Sequence, residues 1–284
     1  MLLNFIKSML QPAKSSQFAP IRDASSTSLT DELQFVHGNH ARCDANAHNQ
    51  VLFHGSYVGG TEFLPLYQQG LSESGTEVKA LKAFHRPQAA LNLLRYFEYS
   101  LDVPGARAEC GVFLGLTSWL MCQVAKRRND NYRGEDMYLV DSFAGFPTAG
   151  ADDLIARREG DQIAMKPTIA AGEAAVPVEH VRALLAGFPQ LGIHKGWIPE
   201  VLAQLPKTQW SFVHIDVDLY DATLACLKFF APNLAPGGVI LCDDYRTPLF
   251  PGAGKAWRLY CLEHAIPFVV LDTGQSVIMS PRLR

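Results

Sequence analysis

Two stretches of this 284-residue chain end in paired acids: Phe212-Val213-His214-Ile215-Asp216-Val217-Asp218-Leu219-Tyr220, and Gly237-Gly238-Val239-Ile240-Leu241-Cys242-Asp243-Asp244-Tyr245. In each, the acids follow a short run of apolar residues of the kind that forms a buried strand. Where two such strands lie side by side, three or four carboxylates meet and repel one another. A hard divalent cation resolves that repulsion, and a donor set made only of oxygen favours magnesium or a similar ion. The competing explanation is that some of these acids only cap helices. Asp221, just before Ala222-Thr223-Leu224, is the best cap candidate.

Other strand ends carry further candidates. Ala108-Glu109-Cys110-Gly111-Val112-Phe113-Leu114-Gly115 closes the first apolar run, where glycines allow a tight turn and a close approach of backbone to ligand. Tyr138-Leu139-Val140-Asp141-Ser142-Phe143 closes the second. An acid there stands where a nucleoside ligand offers its ribose hydroxyls, and an ionised carboxylate accepts both well. His214 shares its side-chain direction with Asp216 and Asp218 by two-residue alternation, and reads as a hydrogen-bonded core histidine.

The elements that must position these residues follow a regular order. Apolar runs at 107–113, 136–140, 191–195, 211–215, 237–242 and 267–271 predict strands; helices are expected at 77–100, 117–128, 176–186, 222–231 and 252–265. The last run, Ser276–Met279, follows the Thr273-Gly274 turn and is expected to pair antiparallel. Strands alternating with helices imply an α/β fold with a mostly parallel sheet covered on both faces, binding ligands at the carboxyl ends of its strands. Residues 1–76 read as an irregular arm or lid, and 77–284 as the α/β domain. The arm's His37, His40, Cys43, His48 and His54 fit no standard zinc spacing. The stretch 148–175, rich in Ala, Gly and charges, is expected to form substrate-covering loops.

Bulk properties exclude some classes. Hydrophobic residues make up 48% of the chain, enough for a sizeable core, and the formal net charge of −3 gives no basic excess to attract nucleic acid. The six cysteines form no CxxC pair and read as reduced, buried thiols suited to the cytoplasm. The opening Met1–Leu10 is too short and interrupted for a secretory signal, and no run approaches the roughly 20 apolar residues of a membrane span. That apolar segment suggests packing on the body or on a second copy.

Five stretches together resemble the TylF/MycF macrocin-type O-methyltransferases, enzymes of antibiotic sugar tailoring. They are Glu109-Cys110-Gly111-Val112; Asp141-Ser142-Phe143 with Gly145 and Pro147; Lys195-Gly196-Trp197; His214-Ile215-Asp216 through Asp218-Leu219-Tyr220; and Gly237-Gly238 through Asp243-Asp244-Tyr245. Lys255-Ala256 also fits, and the resemblance covers about residues 85–280. It implies a Rossmann-like class I methyltransferase fold, with a mostly parallel seven-stranded sheet ending in an antiparallel hairpin. It also implies S-adenosylmethionine as methyl donor and Mg2+ as cofactor. Carried over residue by residue, Asp216, Asp243 and Asp244 are implied metal ligands and Asp218 the general base. Glu109, Gly111, Asp141, Ser142, Trp197 and Asp216 are implied to line the donor site. The chain departs from the family at Leu114-Gly115-Leu116, where the family continues Arg-Gly-Gly.

The expected reaction is attack of a substrate oxygen on the sulfonium methyl. The acceptor is expected to be a small hydroxylated molecule, a sugar diol or a catechol, because vicinal hydroxyls can chelate one ion. Two other classes compete. Asp216-Val217-Asp218 is a DxD, the kind of motif with which glycosyltransferases hold a metal-bound nucleotide sugar. Leu116, in turn, favours a non-catalytic subunit that keeps the fold for binding or assembly.

Overall fold

The computed structural model describes residues 55–77, 85–159 and 162–281. The histidines and cysteine of the arm lie outside the described residues. In chain order the elements are strands β1 (Tyr57–Val58) and β2 (Thr61–Glu62), helices α1 (Phe63–Ser74) and α2 (His85–Ser100), β3 (Ala106–Cys110), α3 (Leu116–Arg128) and β4 (Met137–Asp141). There follow β5 (Leu154–Glu159), β6 (Gln162–Pro167), α4 (Val178–Leu184), β7 (Gly192–Lys195), β8 (Trp210–Ile215), α5 (Tyr220–Phe230), β9 (Leu234–Cys242), α6 (Pro251–Glu263), β10 (Val269–Val270) and β11 (Ser276–Met279).

Seven strands form one sheet in the order β10-β11-β9-β8-β3-β4-β7. From β7 to β9 the neighbours run parallel; β11 pairs antiparallel with both β9 and β10. This is the expected fold. The order reverses between β3 and β8, so the switch point lies where the glycine turn meets the first acidic pair.

Strand alternation sends each face of the sheet into its own core. Leu139, Phe212, Val239, Leu241 and Val277 pack under α1 to α4. Val140, Val213, Ile215, Ile240 and Ile278 pack under α5 and α6. Strands buried on both faces read as continuous apolar runs, which is why they were legible. Glu109, His214 and Asp243 project to the α1–α4 side by the same alternation.

Two elements differ from expectation. Helix α1 falls inside the stretch read as an irregular arm. Phe63, Leu64, Leu66 and Tyr67 are buried, and the helix ends on Gly75 in the left-handed conformation (φ 67°) that suits glycine. Gly70 of α1 lies against α3: a Cβ there would come within 2.9 Å of Leu116 Cδ1. Leu116, the residue that departs from the family pattern, therefore packs α3 against α1. The 148–175 stretch, expected as loops, contains the antiparallel β5–β6 ribbon.

Candidate functional site

Five strand ends, those of β7, β4, β3, β8 and β9, are held in step by backbone hydrogen bonds. Gly111 N–H donates to Val140 O (2.9 Å), Gly196 N–H to Asp141 O (2.9 Å), Asp216 N–H to Cys110 O (2.9 Å) and Asp243 N–H to Ile215 O (3.0 Å). The ladder thus continues one residue past each strand, carrying the chemical side chains onto a common edge.

Gly111 turns the chain with φ 88°, in the region that favours glycine. Its requirement is sharper than a turn. A Cβ there would lie 1.8 Å from the Asp216 carbonyl oxygen. Close approach is needed, as expected, but the neighbour seen here is the backbone of β8's first acid.

Asp141 is pinned between two turns. Its Oδ2 accepts from Val112 N–H (2.7 Å) and Phe113 N–H (3.1 Å), and its Oδ1 from Phe143 N–H (2.7 Å). A carboxylate offers about four acceptor sites, so these bonds leave room for a ligand hydroxyl. Ser142 donates to Gly145 O (2.9 Å) and accepts from Ala144 N–H (3.0 Å), so its hydroxyl shapes the loop after β4. Trp197, one residue beyond Gly196, is 43% exposed, and Phe113 is 49% exposed. Large aromatic residues left in solvent beside an anchored carboxylate suit a flat ligand ring.

The acids gather as expected in kind, with one difference in detail. Asp216, Asp218 and Asp244 each offer an oxygen within 4.8 Å of the others. Asp218 sits at φ 61°, and its N–H donates to Asp244 Oδ2 (3.2 Å). Burial first, then the charge of Asp243, pushes Asp216 up to about 7. Burial and neighbouring carboxylates likewise raise Asp218 and Asp244. A set of oxygens short of positive charge is the donor chemistry a hard divalent cation satisfies, so these residues fit one. The Arg86 guanidinium on α2 partly offsets the repulsion at Asp216 and Asp218.

Asp243, implied as a ligand, is held differently. Its Oδ1 accepts from Gln275 Nε2 (2.7 Å) and lies 3.9 Å from His214 Nε2, an ion-pair separation too long for a hydrogen bond. Burial raises its carboxyl, but His214 and Gln275 outweigh that and leave it below the ordinary carboxylate range.

Glu109 lies under the site rather than in the cleft. It is 0% exposed, and its oxygens meet His214 Nδ1 (2.9 Å) and the Ser118 hydroxyl of α3. Glu109 and His214 are register partners across β3 and β8, which makes this contact a direct consequence of strand pairing. Burial lowers the His214 imidazole, yet the Asp243 and Glu109 carboxylates on either side raise it to about 10. The core-histidine expectation holds, with an added contact to the acid cluster. Gln275 was not anticipated: a glutamine at the start of a C-terminal strand gives no local signal of a partner on β9.

The macrocin-O-methyltransferase (TylF) family model matches residues 97–274. The chain is 34% identical over 147 residues to the 8-demethyl-8-(2,3-dimethoxy-alpha-L-rhamnosyl)-tetracenomycin-C 4'-O-methyltransferase of Streptomyces olivaceus, covering 50% of this chain and 54% of that one. It is 28% identical over 158 residues to the mycinamicin III 3''-O-methyltransferase of Micromonospora griseorubida, covering 55% and 61%. The chain thus spans between half and two thirds of the length of these curated relatives. Among solved structures, a calicheamicin methyltransferase aligns with TM-score 0.57 at 22% identity, covering 76% of this chain and 91% of that one. The O-methyltransferase NovP aligns with TM-score 0.58 at 21% identity, covering 84% and 100%. These two likenesses establish the fold.

Proposed function

The chain belongs to the TylF macrocin-O-methyltransferase family, and from that premise we propose that it moves a methyl group from S-adenosylmethionine to a hydroxyl of a glycosylated or phenolic small molecule. The observation that carries this reading is the juxtaposition of two features on one sheet edge. One is the Gly111 turn beside the anchored Asp141; the other is the Asp216, Asp218, Asp244 cluster. A donor site and an acidic site meet there through Gly111 and Asp216, which touch.

In this reading the Gly111 turn, Asp141, Ser142 and Trp197 hold the nucleoside and methionine parts of the donor. Glu109 supports the turn from below. Asp216 and Asp244, with Asp243 as the family resemblance implies, would hold magnesium, which would acidify and orient an acceptor hydroxyl. Asp218 stands within the cluster and takes the acceptor's proton. The acceptor oxygen forms its bond to the methyl carbon as the carbon–sulfur bond breaks, and S-adenosylhomocysteine leaves. Alignment of donor and acceptor on rigid strand ends supplies much of the rate.

A sugar hydroxyl with an oxygen on the adjacent carbon is the favoured acceptor, since two adjacent oxygens can share one ion. A relative named for 4'-O-methylation of a rhamnosyl tetracenomycin supports a sugar over a catechol. Buried free thiols at Cys110, Cys122, Cys226, Cys242 and Cys261 support a reducing, cytoplasmic setting. Among the described residues no helix is long and apolar enough to cross a membrane. The packing of Leu116 against Gly70 supports reading that departure as helix packing rather than as a sign of a non-catalytic subunit.

Methyl transfer to a panel of rhamnosides and catechols, before and after chelation, tests this reading. Turnover should vanish on chelation and return with Mg2+; full turnover in chelated protein would contradict the metal role. The sign of the pH effect follows from Asp216. Its carboxyl is held up at about 7, so protons compete with the cation below that pH. The half-saturating Mg2+ concentration should therefore rise as pH falls from 8 to 6, by up to about tenfold per unit for each proton displaced.

A further inference from the structure

Gln275 is 1% exposed, and the hydrogen-bonding capacity of its side-chain amide is filled. Its Nε2 donates to Asp243 Oδ1 (2.7 Å) and to the carbonyl of Ala89 on α2 (3.2 Å). Its Oε1 accepts from the Thr273 hydroxyl (2.8 Å) and from Asn92 Nδ2 (3.4 Å). The partners fix which way the amide faces. Flipped, its oxygen would confront a carboxylate and a carbonyl, both acceptors, and its NH2 would lose them. Asn92 is in turn held by Gln88 (3.2 Å) and also reaches Thr273 (3.3 Å). The donor aimed at Asp243 is therefore set by a helix far from it in sequence and by the turn just before it.

Asp243 needs such a brace. Its backbone is bonded to Ile215, the residue just before Asp216, and like charge on that edge favours swinging the carboxylate away. His214 Nε2 lies 3.9 Å from the same Asp243 Oδ1 and adds attraction, but it finds no hydrogen-bond partner among the described residues. Carboxylates that bind metals are themselves hydrogen-bonded from behind, and that outer contact sets their orientation. An oxygen taken by a buried amide leaves the carboxylate its second oxygen as a free ligand atom.

We propose that Gln275 is a positioning residue for the cation site: it holds Asp243 in ligating orientation and ties that orientation to α2. The proposal rests on the metal reading above.

Manganese binding to the full chain, followed by the electron paramagnetic resonance of free Mn2+, tests it alongside S-adenosylhomocysteine affinity measured without metal. Gln275→Met keeps the volume and removes the amide. It should weaken Mn2+ binding by about 10–100-fold, with S-adenosylhomocysteine affinity within about twofold, because Gln275 does not touch the Gly111 turn. Gln275→Glu keeps the bond from Thr273 but sets an acceptor against Asp243, and should lose Mn2+ affinity at least as much; it serves if the Met variant does not fold. In an Asp243→Asn background, Gln275→Met should cost nothing further, since its effect passes through that carboxylate. A merely structural role predicts instead an additive loss, or equal losses of both ligands. Either of those, or unchanged Mn2+ binding in a folded variant, overturns the proposal while leaving the metal reading intact. A wild-type protein that binds no Mn2+ overturns both.

Discussion

Asp243→Ala is expected to slow methyl transfer by about a thousandfold or more, while affinity for S-adenosylhomocysteine stays within about twofold. The size follows from chemistry. A cation that acidifies and orients the acceptor is worth several kcal/mol of transition-state stabilisation, and each 1.36 kcal/mol is about tenfold in rate. The selectivity follows from geometry. Asp243 is bonded to Gln275 and faces His214, whereas the donor side is built on Gly111, Asp141 and the loop after β4. Turnover and product affinity measured on the same preparation separate the two. Equal loss of both would mean that the acids support the fold of the edge rather than the chemistry on it.

Gly111→Ala should have the largest effect on stability. The new methyl would meet the Asp216 carbonyl oxygen at 1.8 Å, and φ 88° is strained for alanine. Backbone strain of about 1–3 kcal/mol and overpacking of about 1–3 kcal/mol both apply, because the obstacle is backbone and cannot rotate away. At roughly 2–4 °C per kcal/mol for a domain of this size, Tm should fall by about 5–20 °C. Gly172→Ala is the control. It has a similar φ, 82°, but nothing lies within 4 Å of its added Cβ, so only about 1–2 kcal/mol of left-handed strain applies. Equal shifts in thermal melts of the two variants would show that the contact with Asp216 does not matter.

The inner strands β8 and β9 were legible because they are buried on both faces. Runs such as Phe212–Ile215 and Val239–Cys242 are short and bounded by polar or glycine turns, which favours buried strands over helices. Site residues were legible for a related reason: the positions after each strand are polar in a sequence otherwise apolar there. Helix α1 was obscured by Pro65 and Gly70, which break the pattern locally, although Pro65 sits in its first turn and Gly70 makes room for Leu116. The β5–β6 ribbon carries no buried stripe; Ile163 and Met165 are exposed on it, so neither periodicity nor composition announced strands.

The site's inner and outer layers were not separable from sequence. Glu109 shares a motif with Gly111, yet strand pairing turns its carboxylate onto His214. Whether a polar residue faces the cleft or the layer beneath depends on its register neighbour and on the helix above it, here Ser118 of α3. Gln275 depends on contacts spanning more than 180 residues, from Ala89 and Asn92. Such information resides in the packed fold and in no local window.

The most direct test of the account is calorimetric titration of the purified protein with S-adenosylhomocysteine, with and without Mg2+. Micromolar binding in both conditions is the predicted result, with Leu116 tolerated because it packs on Gly70. Absence of binding in both would contradict the donor site built on Gly111 and Asp141, and with it the methyl-transfer function.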